Sequence, residues 1–253
     1  MASASFAQPE KFQIGRVFNN CFAVISRNIG LSLGLAVLFS GVPTFLYQLW
    51  VWKSAIGATA APEFSVQSAV TTILAVVVSM ALSAILQAAL VRAAIEDLNG
   101  ARPSIGDCLG TAFSLLFPVI GIAVLVTLGI MVGLVLLIIP GIILWLRWSV
   151  AVPVLVQERL GVLGSMARSR DLTKGNRWAL LGFWVILIVA VIAIQLVLGK
   201  VIPIFGLTIG LILGALVTAV MSVVTSVAAA VTYVELRQVK EGTSVQDLAE
   251  IFS

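Results

Sequence analysis

The chain has 253 residues, 60% hydrophobic and only 10% charged, with a mean hydropathy of +1.15 and a formal net charge of +4. An average globular domain is about 45–50% apolar and about 25% charged, so a water-soluble fold is excluded; six spans of about 21 residues account for the apolar excess. Without histidine there is no His-based acid–base catalysis, no Ser-His-Asp triad and no imidazole metal ligand, and Cys21 and Cys108 form no C-x-x-C spacing.

The polar opening, MASASFAQPEKFQ, reads as carrying no cleavable leader. Residues 11–27 then form an amphipathic helix, with Ile14, Val17, Phe18, Cys21, Phe22 and Ile25 at helical spacing. A break at Arg27-Asn28-Ile29-Gly30 leads into a first span, 29–52, and a second follows at 66–91, leaving near Glu96. Residues 104–116 repeat the amphipathic theme with Ile105, Cys108, Leu109, Ala112 and Phe113. Ser104 followed by Asp107 resembles a capping box at its start.

The stretch 115–157 carries one charge, Arg147. As a single helix it would be about 65 Å long, too long for a ~30 Å core. Pro140-Gly141 supplies a turn, giving spans 118–137 and 138–156, with Phe117-Pro118 before them and Glu158 after. A third amphipathic segment, 161–172, has Val162, Leu163 and Met166 on one side and Arg168 and Arg170 on the other. It breaks at Lys174-Gly175-Asn176 before spans 178–198 and 206–233, which leave the membrane near Glu235. In the tail, 238–253, Ser244 and Asp247 echo Ser104 and Asp107.

The predicted fold is thus an all-α membrane domain over 1–253, with six spans in three hairpins, each preceded by an interfacial amphipathic helix. Three repeat units are implied: 11–97, 103–158 and 161–237. Charge orients them. Lys11, Arg16, Arg27, Arg92, Arg102, Arg159, Arg168, Arg170, Lys174, Arg177, Arg237 and Lys240 share one side, and only Lys53 and Lys200 lie opposite. That asymmetry predicts that both termini are cytoplasmic. Trp50, Trp52 and Trp178 fall at span ends, where the amphipathic ring prefers headgroup level; Trp145, Trp148 and Trp184 lie deeper and read as packing.

Three sets of residues stand out. Gly206, Gly210, Gly214, Thr218, Ser222, Ser226 and Ala230 make a small-residue stripe along the last span, read as a helix-packing seam. Arg147, Gln87 and Gln195 are the intramembrane polar candidates; a charge at the bilayer centre costs at least about 2.5–3.5 kcal/mol on insertion scales. With a turn at Pro140-Gly141, Arg147 lies about 9 Å into its span, within snorkelling reach of the outer surface. Arg168, Arg170, Lys174 and Arg177 form the densest basic cluster and are the lipid-headgroup candidates. No acid or histidine lies at the centre of a span, which argues against an enzyme, and no cofactor or metal is implied.

The run Ile139-Pro140-Gly141-Ile142-Ile143-Leu144-Trp145-Leu146-Arg147-Trp148-Ser149, continuing to Val156, is similar to one in the YciC-like family of bacterial inner-membrane proteins. It also resembles the membrane domain fused to some glycerophosphodiester phosphodiesterases. Further matches are Ser165-Met166-Ala167-Arg168-Ser169-Arg170-Asp171-Leu172-Thr173-Lys174-Gly175-Asn176-Arg177-Trp178 and Tyr233-Val234-Glu235-Leu236-Arg237. The resemblance implies a multi-pass protein of the bacterial inner membrane and no activity, since the phosphodiesterase barrel has no room in this chain.

The expected role is therefore non-enzymatic: an accessory or structural protein whose partners are the bilayer, anionic lipids, and a membrane protein or a second copy, with no nucleic acid. The alternative is a pathway for a small or lipid-like solute lined by Arg147, Gln87 and Gln195.

Overall fold

The computed structural model describes residues 12–57, 66–201 and 206–251. Lys11 and the start of the first repeat unit lie outside them. The elements run α1 (Ile14–Arg27), α2 (Ile29–Ala36), a π-helical segment (Val37–Gly41), α3 (Val42–Gly57), α4 (Val66–Leu98), α5 (Ile105–Ser114), α6 (Leu116–Leu136), α7 (Ile138–Trp148), α8 (Ala151–Glu158), α9 (Gly161–Thr173), α10 (Arg177–Val201) and α11 (Leu207–Ile251). Six helical stretches are long and apolar enough to cross a membrane: Ile29–Ser54, Ala69–Leu98, Leu116–Leu136, Ile138–Glu158, Arg177–Val201 and Leu207–Glu241. The protein is an all-α, multi-pass membrane protein, and a short helix precedes each pair of spans: α1, α5 and α9.

Prolines set most of the interruptions. Pro118, Pro140 and Pro153 are each the third residue of a helix, where an N–H has no intrahelical acceptor to lose. The turn between the third and fourth spans is therefore at Leu137, extended at φ −167° and ψ 146°, and not at Pro140-Gly141, which lie inside the first turn of α7. The break before the third span is likewise at Leu115 and not at Phe117-Pro118. The fourth span breaks again at Ser149 and Val150, because Pro153 cannot donate to the Ser149 carbonyl. Pro43 has the same effect one turn after Phe39, and the first span answers with the π-helical segment at Val37–Gly41.

The expected start of α5 is present: the Ser104 hydroxyl accepts from the Asp107 N–H at 3.1 Å and donates to its carboxylate at 2.8 Å. The tail echo is different. Ser244 and Asp247 lie inside α11, which runs unbroken to Ile251, so they start no helix.

Each short helix rests on an even-numbered span. α5 packs on α4, α9 on α8, and α1 closes the circle on α11, the last span. At this end, called the basic end because it carries α1, α5, α9 and eleven of the described cations, α4, α8 and α11 touch one another. The core follows: Ala88, Ala89, Leu90, Val91, Val154, Leu155, Ala230, Tyr233 and Leu236 are all buried. Small alanines let backbones approach closely, and in lipid that contact, rather than expulsion of water, drives association. Toward the opposite end the spans separate. In α10 only Leu180, Phe183, Trp184 and Leu187 are buried, and most residues beyond are exposed.

Candidate functional site

The polar architecture of the basic end is built from arginines of the short helices and carboxylates at the span ends. Arg27, at the last turn of α1, donates Nε to the Asp97 carboxylate at 3.1 Å, and Asn28 donates to the same group at 2.7 Å. Hydrogen bonding to Asp97, reinforced by its charge, raises the Arg27 pKa. At the other end of α1, Arg16 Nε lies 3.6 Å from Glu235, a buried carboxylate of the last span that also accepts from the Gln13 N–H at 3.4 Å. Arg92 pairs with Glu96 one turn along α4, at 2.7 Å. The exit carboxylates Glu96, Glu158 and Glu235 thus all meet arginines.

Arg168 on α9 is the hub of the third group. Its Nε reaches Glu158 at 3.1 Å and its Nη2 reaches Glu241 at 2.7 Å, while the Tyr233 hydroxyl donates to Glu158 at 3.0 Å. Arg237 holds the other oxygen of Glu241 at 2.7 Å. Partial burial lowers the Arg168 pKa, but Glu158 and Glu241 together outweigh it and the net shift is upward. This guanidinium joins three elements, and its hydrogen-bonding capacity faces inward.

The four headgroup candidates therefore divide. Arg168 is engaged inside the protein, and exposed Arg170 lies 3.5 Å from its neighbour Asp171. Lys174 and Arg177 have no ion pair among the described residues; Gly175, at φ +98°, makes the turn between them. Arg102 and Arg159 share that unpaired state. Neither was singled out by spacing, because pairing is decided by which carboxylates the fold brings near. Beside Lys174 and Arg177 stands Trp178, 87% exposed, and Phe22, Ile105, Phe113, Phe117 and Leu163 are likewise exposed at this end. Of their apolar faces, α1 buries Val17 and Cys21 together with Val24, and α5 buries Cys108 and Ala112 together with Thr111.

Arg147 lies midway along the 21-residue span Ile138–Glu158, about 15 Å from the turn at Leu137 and deeper than a turn at Pro140 implies. It is half-buried, and its Nε is closed off from solvent with no hydrogen-bond partner. The break after it frees its own carbonyl, which accepts from the fully buried Ser169 hydroxyl at 2.8 Å. Its aromatic neighbours pack as expected: Trp145 meets Trp184 edge-on at 5.5 Å, and the Trp148 ring fills the place of a side chain at Gly129. Gln87 is half-buried and Gln195 exposed, neither with a hydrogen-bond partner among the described residues, so no hydrogen bond joins Arg147, Gln87 and Gln195.

The stripe on the last span is only partly a seam. Gly206 and Thr218 are exposed, Gly210, Gly214 and Ser222 are half-buried, and only Ser226 and Ala230 are buried. Along its middle, the buried face is one residue over, at Ala215, Ala219, Val223 and Val227.

Two large cavities open on the surface. One, about 950 Å³ at the basic end, is lined by Arg27, Asn28, Asp97, Arg102 and Glu235, among others. The second, about 800 Å³, lies between the first and second spans toward the opposite end. Neither is lined by Arg147, Gln87 or Gln195. Compared with known proteins, the chain matches no family model, no curated protein and no solved structure.

Proposed function

We propose that this chain is a non-catalytic protein of a bacterial cytoplasmic membrane, both termini cytoplasmic, that holds anionic lipid headgroups at its basic end. The carrying observation is the turn between α9 and α10, where Lys174 and Arg177, without an ion pair among the described residues, precede Trp178, 87% exposed. Cations beside an exposed indole match the chemistry of the interface, where the ring sits at headgroup level and basic groups meet phosphate. The other ionisable groups of this end are largely satisfied by one another, consistent with a contact role rather than catalysis. The inner-membrane location belongs to the same proposal, supported by the charge asymmetry and by the resemblance to the YciC-like family. The alternative, a solute pathway past Arg147, lacks a cavity reaching that residue among those described.

Each cation near an anionic leaflet contributes about 1 kcal/mol, so Lys174→Ala/Arg177→Ala should weaken phosphatidylglycerol binding by roughly 30-fold. The measurement is phosphatidylglycerol retained per protein after purification in mild detergent. Arg168→Ala is a poor probe, because it breaks an internal ion cluster. Equal retention by wild type and the double variant would sink the proposal.

A further inference from the structure

At the end opposite the basic one, the first and second spans diverge around a cavity of about 800 Å³. Its walls carry Ser40, Thr44 and Gln48, one turn apart on the first span, facing Thr72 and Ser83 on the second, with Tyr47 and Trp50 nearer the mouth. Among the described residues, no Asp, Glu, Lys or Arg lines it. The floor is the π-helical segment set by Pro43, and beneath it the spans close over buried Leu35, Ala36, Ile85 and Leu86. It ends blind near mid-span. A π-helical turn inside a transmembrane helix is itself a common mark of a functional position.

The polar groups here are placed where hydrocarbon offers them nothing. Thr44, Gln48 and Ser83 have no protein hydrogen-bond partner among the described residues, whereas Ser40 shares a hydrogen bond with Ser222 at 3.2 Å. Gln48 lies against the last span at Gly214: a Cβ there would sit 3.8 Å from the Gln48 Oε1, an ordinary van der Waals contact. Hydroxyls and a carboxamide both donate and accept, which suits hydroxyl and ester groups. A phosphate would find no cation among the described lining residues. Leu46, Val76 and Val78 line the same cavity and are exposed, giving acyl chains an apolar wall. Tyr47 and Trp50, ring centroids 6.1 Å apart, place amphipathic rings toward headgroup level. The volume lies within the range of small-ligand pockets, about 300–1,000 Å³.

We propose that this cavity binds an uncharged glycerolipid, its free hydroxyl and ester groups against Thr44, Gln48 and Ser83 and its acyl chains leaving between the first two spans. The site is separate from the cationic surface at the basic end and stands or falls independently of it.

Native mass spectrometry of the full chain in mild detergent tests this with two probes of identical chains, dioleoylglycerol and dioleoylphosphatidic acid. Wild type should retain dioleoylglycerol in preference to the acid. Gln48→Leu and Ser83→Val should each lower dioleoylglycerol retention by about fivefold or more, the loss of one hydrogen bond, with no drop in unfolding midpoint. Thr44→Val, close to isosteric, carries the same expectation should Gln48→Leu fail to fold. Equal retention of the two probes by wild type overturns the proposal. So does retention of dioleoylglycerol unchanged in the folded variants.

Discussion

Glycine at two positions of the third span is required by what stands against it. A Cβ on Gly129 would lie 2.5 Å from the Trp148 ring, and one on Gly133 would lie 2.8 Å from the Gly141 Cα. The second wall is backbone and cannot rotate away. Gly133→Ala should therefore destabilise the α6–α7 hairpin by about 1–3 kcal/mol, the usual range for overpacking. Gly30→Ala, where nothing lies within 4 Å, is the neutral control. Denaturant titration in detergent micelles checks both; Gly133→Ala as stable as wild type would show that the hairpin is looser than described. The sequence offered Gly129 and Gly133 only as one more small-xxx-small pair, a pattern frequent in membrane helices. What makes this pair decisive is the facing residue, and no spacing reveals that.

The two thiols are also settled by surroundings. Burial pushes Cys21 up to about 12, and burial followed by the charge of Glu96 pushes Cys108 up to about 11. At pH 8 a thiol of pKa about 11 is roughly 0.1% thiolate, and only the thiolate reacts. Both should resist maleimide in the folded protein and label fully in SDS; fast labelling of native protein at pH 8 would contradict their burial. The sign of the linkage follows. Groups held protonated in the fold contribute stability that is whole below their unfolded pKa, near 9, and is lost as pH rises toward 11 to 12.

At the scale of elements, the broken fourth span shows how a cost in one helix is met by another. Pro153 ends α7 early, the Arg147 carbonyl loses its intrahelical donor, and Ser169 of α9 supplies one at 2.8 Å. Ser165, Ser169 and Thr173, one turn apart and all buried, let α9 lie against α7 and α8. Ser169→Ala should cost about 1–3 kcal/mol, the penalty for leaving a buried acceptor unmet. In a Pro153→Ala background the helix can continue and the Ala151 N–H can reach that carbonyl, so the same substitution should cost less. Additive effects in the double-mutant cycle would rule out this coupling. Sequence spacing gives 138–156 as one span, without the break before Pro153 or the serine that answers it. A serine on an amphipathic segment reads as a polar face until the segment's neighbours are known.

For the whole molecule, the arrangement of three hairpins around a tight basic end has a consequence for topology. With both native thiols buried, a single added cysteine reports cleanly. Lys53→Cys, exposed at the opposite end, should label in intact cells with a membrane-impermeant maleimide, and Ala101→Cys, exposed at the basic end, only after permeabilisation. The reverse pattern would overturn the orientation read from the charges, and with it the cytoplasmic placement of Lys174 and Arg177. The basic end packs because the even-numbered spans bring alanines together there and the short helices seal their flanks. The opposite end opens because α3, the start of α4 and the last half of α10 find few neighbours.

The number of spans, their approximate bounds, the three short helices and the asymmetry of charge were all present in the sequence. Each is a one-dimensional quantity: a length of uncharged chain against the thickness of hydrocarbon, a helical period, or a count of cations between spans. Tertiary structure decided everything that depends on a pair. It engaged Arg168 and left Lys174, Arg177, Arg102 and Arg159 without an ion pair among the described residues. It carried Arg147 to mid-span, and it turned the middle of the small stripe toward Gln48. An ion pair or cavity requires two segments at one place, and a span's sequence records its affinity for lipid far more strongly than its choice of neighbour.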